Sequence, residues 1–188
     1  MNQKKLSWYE LPPERWRNNN TRIYWERDSQ RQKLYDAQSI AKCRCKSLGR
    51  QIPSIKVIQI YVDWLTSEAW FIKRFGTNEI EVKEKRGTGA DACWKVIRFS
   101  KDSRSLLTIL HEVAHVVHKS GYGSSHGRFF ARTLLELVEH KIGREAAKAL
   151  KKAFKKYGVK YLPKRELTKE TREKLRQGFV DRVLKQKG

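Results

Sequence analysis

His111-Glu112-Val113-Ala114-His115 places two imidazoles and a carboxylate within five residues. On an α-helix, residues four apart lie about 40° apart around the axis and about 6 Å apart along it, so both histidines reach one ion. Glu112 projects from the same side. Zinc hydrolases use such a set: the histidines hold Zn²⁺ and the glutamate takes a proton from the attacking water.

The flanking residues support a helix. At about 100° per residue, Leu106, Ile109, Leu110, Val113, Val116 and Val117 share one wide face, with Ala114 at its edge. Thr108, His111, Glu112 and His115 fall opposite. A merely solvated face would carry Lys, Arg and Glu in a chain with 33% charged residues, whereas this one carries two histidines, a glutamate and a threonine. The pattern predicts a helix that packs its aliphatic face on a core and turns the His/Glu face to solvent or to a cleft.

A catalytic zinc takes three protein ligands and leaves a fourth position open. Four residues are candidates for the third ligand. His118 lies nearly above His111 but about 10 Å further along the same axis, a rim position. His126 follows Gly121-Tyr122-Gly123-Ser124-Ser125, whose glycines can end the helix and reverse the chain. It then opens a second helical pattern, where it can point back at the first helix. Glu136 and His140 sit deeper in that pattern, among Phe129, Phe130, Leu134, Leu135, Leu137 and Val138. His126 is favoured, with Glu136 next. Tyr122, in the turn, is a candidate hydrogen-bond donor to a developing oxyanion.

The motif, the glycine-containing turn and His126-Gly127-Arg128-Phe129-Phe130 together resemble the HExxH…HGxxF pattern of small zincin-type metallohydrolases of actinobacteria and their phages. They are similar, more distantly, to the SprT-like metalloprotease domain, which includes the Spartan proteases that cut DNA–protein crosslinks. Residues 27 to 37 resemble the opening helix of the small metallohydrolase family. Ile142-Gly143-Arg144-Glu145-Ala146-Ala147, with Phe154 and Tyr157-Gly158-Val159 after it, extends the likeness to roughly residues 27 to 163. The resemblance implies an α+β, minimal zincin-like fold, with a small twisted β-sheet packed on the HExxH helix and helices flanking it. It implies Zn²⁺ on His111, His115 and His126, Glu112 as general base, and a protein or peptide substrate. It also implies that the strand just before the helix, residues 94 to 99, edges the cleft, where an extended peptide adds as another strand and Lys95 and Arg98 make the rim basic.

The expected organisation has three parts: a basic, aromatic arm over residues 1 to 26, the metallohydrolase domain over 27 to 163, and a basic, partly helical tail over 164 to 188. Within the domain, Asp28 or Ser29 caps a helix running to about Leu48, with Leu34, Tyr35, Ala37, Ile40 and Ala41 as its apolar side. Residues 55 to 64, rich in β-branched and aromatic side chains, read as a strand. A short helix from Ser67 to Phe75 ends at Gly76. Two strands, Glu79 to Lys85 and Cys93 to Ser100, are joined by a loop at Gly87 to Gly89. Ser103 is the expected cap of the metal helix.

Formal net charge is +22, from 42 Lys/Arg against 20 Asp/Glu. Residues 141 to 188 hold 17 of the basic and five of the acidic residues, over half of the surplus. Such a surface attracts nucleic acid phosphates in a salt-dependent, non-specific way, and acidic proteins as well. Lys151-Lys152 and Lys155-Lys156 also fit the wet face of a helix whose Ala147, Leu150 and Phe154 pack inward. The other class of function the sequence leaves open is a basic nucleic-acid or host-factor binding protein with a structural zinc. Cys43, Cys45 and Cys93 are odd in number and lack CxxC spacing, so they read as thiols outside any disulfide framework. No apolar run approaches the ~20 residues of a membrane span, and residues 1 to 8 lack a signal-peptide core. The expectation is a cytoplasmic protein, in the host cytoplasm if phage-encoded.

Overall fold

The computed structural model describes residues 30–76, 79–118 and 125–161. The expected arm (1 to 26), the tail (164 to 188), the caps Asp28 and Ser29, and Tyr122 lie outside the described residues. What is described is an α+β fold of seven helices and a small mixed sheet.

Helix α1, Arg31–Arg44, buries Leu34, Ala37, Gln38 and Ala41, a stripe at 3.6-residue spacing. It ends sooner than expected. Cys45 is extended at φ −132°, ψ 101°, and a short turn, α2 (Lys46–Gly49), follows. The expected apolar side needs a second correction, because Tyr35 is 40% exposed and Gln38 takes a buried place.

Residues 55 to 64 are helical, not a strand. Ser54 accepts a hydrogen bond from the Val57 amide at 3.3 Å and caps α3, Ile55–Ser67. Ile58, Val62 and Leu65 are its buried side, spaced four and three residues apart. Helical periodicity and a serine cap thus outweigh the β propensity of the valines and isoleucines. Helix α4, Ala69–Phe75, ends at Gly76, whose φ of +80° suits a residue without Cβ.

Three strands follow: β1 (Glu81–Glu84), β2 (Ala90–Cys93) and β3 (Val96–Phe99), in the order β1-β3-β2. The expected single strand from Cys93 to Ser100 is in fact the end of β2, a tight turn at Trp94-Lys95, and β3. Strand β3 runs parallel to β1 and antiparallel to β2, with Ile97 opposite both Val82 and Ala92. It is therefore central. The peptide-accepting edge expected on residues 94 to 99 is already paired on both sides, and Arg98 is bonded to Asp91 at 3.0 Å. The sheet alternates as half-buried sheets do: Ile97 and Phe99 are buried and Arg98 is exposed. Gln59 of α3 fixes its far side, donating to the Ile80 carbonyl at 2.8 Å and accepting from the Val82 amide at 2.7 Å.

After a 3₁₀ turn at Lys101–Ser103 comes α5, Leu106–Val117. Its cap is Ser105, which accepts from the Thr108 amide at 3.3 Å, and not Ser103, which donates to the Gly89 carbonyl at 2.7 Å. Helix α5 packs on β2 and β3, on α2 and on α6, Arg128–Lys141. Helix α7, Arg144–Tyr157, lies across α6 and α1 and buries Ala146, Ala147, Leu150, Ala153 and Phe154, leaving Lys152, Lys155 and Lys156 exposed as expected. Phe129, expected in the core, is 51% exposed, whereas Phe130 is fully buried. All three cysteines are free. Among the described residues, no helix is long and apolar enough to cross a membrane.

Candidate metal centre

Helix α5 is enclosed on more than its aliphatic side. His111 and Glu112 are buried along with Leu107, Ile109, Leu110, Val113 and Ala114, so the His/Glu face is covered as well. The turn that precedes α6 brings His126 to the same place. His111, His115 and His126 offer ligand atoms that all lie within 4.8 Å of one another, and this group can hold a metal ion.

Nitrogen ligands about 2.0–2.1 Å from a tetrahedral ion stand about 3.3–3.4 Å apart. The Nε2 atoms of His111 and His115 are separated by 3.1 Å, close to that spacing. Phe130, one turn beyond His126, lies with its ring centroid 4.9, 4.4 and 5.1 Å from those of His111, His115 and His126. It gives the three rings one apolar floor.

Helix α1 supplies the polar support. The Gln38 amide meets Nδ1 of His111 at 2.9 Å, which turns Nε2 toward the other histidines. Gln38 makes this contact through its amide nitrogen, which donates to Nδ1 and holds the orientation of the ring. One turn further, Lys42 donates to Thr108 Oγ1 at 2.9 Å. Gln30 donates to the His126 carbonyl at 2.7 Å and to the Lys160 carbonyl at 3.2 Å, and accepts from the Lys160 amide at 3.0 Å. It thereby ties the backbone of the third histidine to the start of α1 and the end of α7.

Burial first, then the neighbouring His115, His126 and Lys42, holds the His111 imidazole well below its usual pKa. A neutral imidazole is the form that binds metal. Glu112 is not part of the ligand cluster. Burial and, secondarily, Asp91 on β2 push its carboxyl up to about 8 in the metal-free chain, against the opposing pull of Lys85.

The folded metal-free chain therefore keeps a proton on Glu112 that the unfolded chain releases near the ordinary value of 4.5. This contribution to stability is complete below that value and is lost as pH rises toward about 8. Glu112→Gln should remove the decline: stripped of metal, the variant is the more stable chain at pH 8 by on the order of a few kcal/mol, and the gap narrows toward pH 5. Urea denaturation at the two pH values checks this, and parallel pH profiles would refute it.

Of the residues expected at the site, the structure brings together His111, His115 and His126, while Glu112 follows His111 on α5 with Asp91 and Lys85 as the charges that act on its carboxyl. The other candidate ligands are engaged elsewhere. Glu136 pairs with Arg74 at 2.9 Å and Arg132 at 3.0 Å and His140 stacks on Trp70 with centroids 4.0 Å apart, whereas His118, the C-cap of α5, stands outside the ligand group with its ring 6.1 Å from that of Phe130. Tyr35, Gln38 and Lys42 were not expected here. Their signal was a glutamine inside an otherwise apolar stripe, at a spacing of four from Leu34 and three from Ala41. No family model, curated protein or solved structure matches this chain.

Proposed function

We propose that this protein is a zinc-dependent metallohydrolase of the zincin type and that it cleaves peptide bonds. The observation that carries the reading is the cluster of three histidines from α5 and the turn before α6, with a buried glutamate next to the first of them in sequence and outside the ligand set. Three protein ligands leave one position of a tetrahedron open, which favours a catalytic over a structural ion. When bound, Zn²⁺ supplies a Lewis acid that polarises a carbonyl and acidifies water. Its charge also favours the ionised form of Glu112.

In that state Glu112 acts as general base, taking the proton of the attacking water and delivering it to the leaving amine. Among the described residues β2 is an edge strand, and it packs along α5. An extended peptide adding to its other edge would lie along α5, the helix of His111 and His115, with alternate side chains pointing in and out. Exposed lysines on α7 favour substrates associated with nucleic acid, held non-specifically.

The test is turnover of an unfolded protein by the zinc-loaded chain and by the chain stripped with chelator, each with and without duplex DNA beside the substrate. Zinc-dependent cleavage is expected, with a DNA-dependent gain that fades between about 50 and 200 mM salt. A metal-loaded chain that cuts nothing refutes the peptidase reading. Cleavage indifferent to DNA at low salt refutes the nucleic-acid part.

A further inference from the structure

Tyr35 has no part in the hydrophobic core of α1. Its ring stacks on that of His111, with centroids 5.5 Å apart and planes at 26°, and its hydroxyl lies 3.4 Å from Nε2 of His126. The Arg31 guanidinium sits 5.7 Å from its ring centroid. Phe130 is fully buried and closes the protein side of the three histidines, whereas Tyr35, at 40% exposure, lies toward solvent. Substrate has to approach from that side.

A phenol hydroxyl carries one proton to donate. Beside the histidines the acceptor at hand is the Nε2 lone pair of His126. Once that lone pair is given to a cation, the hydroxyl is released to donate elsewhere, and an oxygen entering the open fourth position would lie beside it.

We propose that Tyr35 is a catalytic residue of the metallohydrolase inferred above. Its hydroxyl donates a hydrogen bond to the substrate carbonyl oxygen as that oxygen gains charge. The inference rests on the proposed metal site, but it assigns a role to a residue from α1, outside both motif segments. The bond strengthens as the oxygen becomes anionic, so it contributes more to the transition state than to substrate binding.

Tyr35→Phe keeps the stacked ring and removes only the hydroxyl. The measurement loads wild type and variant with Co²⁺, determines cobalt affinity by chelator competition, and then titrates acetohydroxamate while following the visible spectrum. Acetohydroxamate presents an anionic oxygen to the metal and does not depend on peptidase activity. The expected result is cobalt affinity unchanged within about twofold and acetohydroxamate bound about ten- to a hundredfold more weakly by the variant. On peptide, kcat falls by about a hundredfold with KM little altered.

Cobalt affinity reduced about ten- to a hundredfold, with acetohydroxamate affinity unchanged on the loaded protein, would make Tyr35 a positioning group for His126 and overturn the proposal. Equal acetohydroxamate affinity in both proteins overturns it as well, as does a cobalt-loaded wild type that takes no acetohydroxamate. A wild type that binds both probes and cleaves no peptide refutes peptide hydrolysis, while the hydroxamate comparison still decides the role of Tyr35.

Discussion

Glu112→Gln lowers peptide turnover by about two to four orders of magnitude and leaves about one zinc per chain in place. The two halves of this expectation come from different features. Glu112 neighbours His111 on α5, is only 5% exposed, and stands outside the group of ligand atoms. A neutral amide of almost the same volume therefore fits its place without removing a ligand. What glutamine lacks is basicity, so in the proposed mechanism the proton of the attacking water would have no acceptor and the leaving amine no donor. KM should change little, because a group that acts on protons in the transition state contributes little to ground-state binding. Steady-state kinetics beside elemental analysis of the same preparation checks both halves. Full turnover by the variant removes Glu112 from the mechanism, whereas loss of zinc with turnover would assign it to the metal instead.

Much of this centre was legible in the sequence because helical geometry alone relates His111, Glu112 and His115. Placing His126 needed only the glycine-containing turn and the start of a second amphipathic pattern. The support from α1 was harder to see. Tyr35 reads as apolar in a periodicity analysis, yet its ring is used against an imidazole and its hydroxyl against another. Gln38 has a meaning only once a histidine 73 residues away is set 2.9 Å from it. Residues 55 to 67 show the opposite problem. Their valines and isoleucines favour a strand locally, but Ile58, Val62 and Leu65 can bury together only on a helix, and Gln59 then serves β1 from the outside. The strand β2 was missed because Ala90, Asp91 and Ala92 have weak strand propensity. Its pairing with β3 is set by a turn at Trp94, which takes a φ of +54° unusual for a bulky residue.

His126→Ala should abolish stable zinc binding, and the effect should reach the whole fold. In the proposed site His126, from the turn before α6, is the ligand that joins that turn to α5, and its carbonyl is held by Gln30, whose amide also binds Lys160 on both sides of its backbone. Losing a mere supporting partner of a metal ligand weakens affinity about ten- to a hundredfold, so losing one of three ligands should cost about a thousandfold or more. In the wild type, free zinc at about a thousand times its Kd adds about 4 kcal/mol to stability, which for a chain of this size raises Tm by about 8–16 °C. The variant should show almost none of that rise. Glu136→Ala is the matched control: its carboxylate is engaged by Arg74 and Arg132, so it should lose ion pairs and keep the zinc-dependent shift. Thermal melts of the three proteins with and without zinc separate the cases. A full zinc shift in His126→Ala, or its loss in Glu136→Ala, would move the third ligand from His126 to Glu136 and with it the geometry on which the proposed hydrolysis depends.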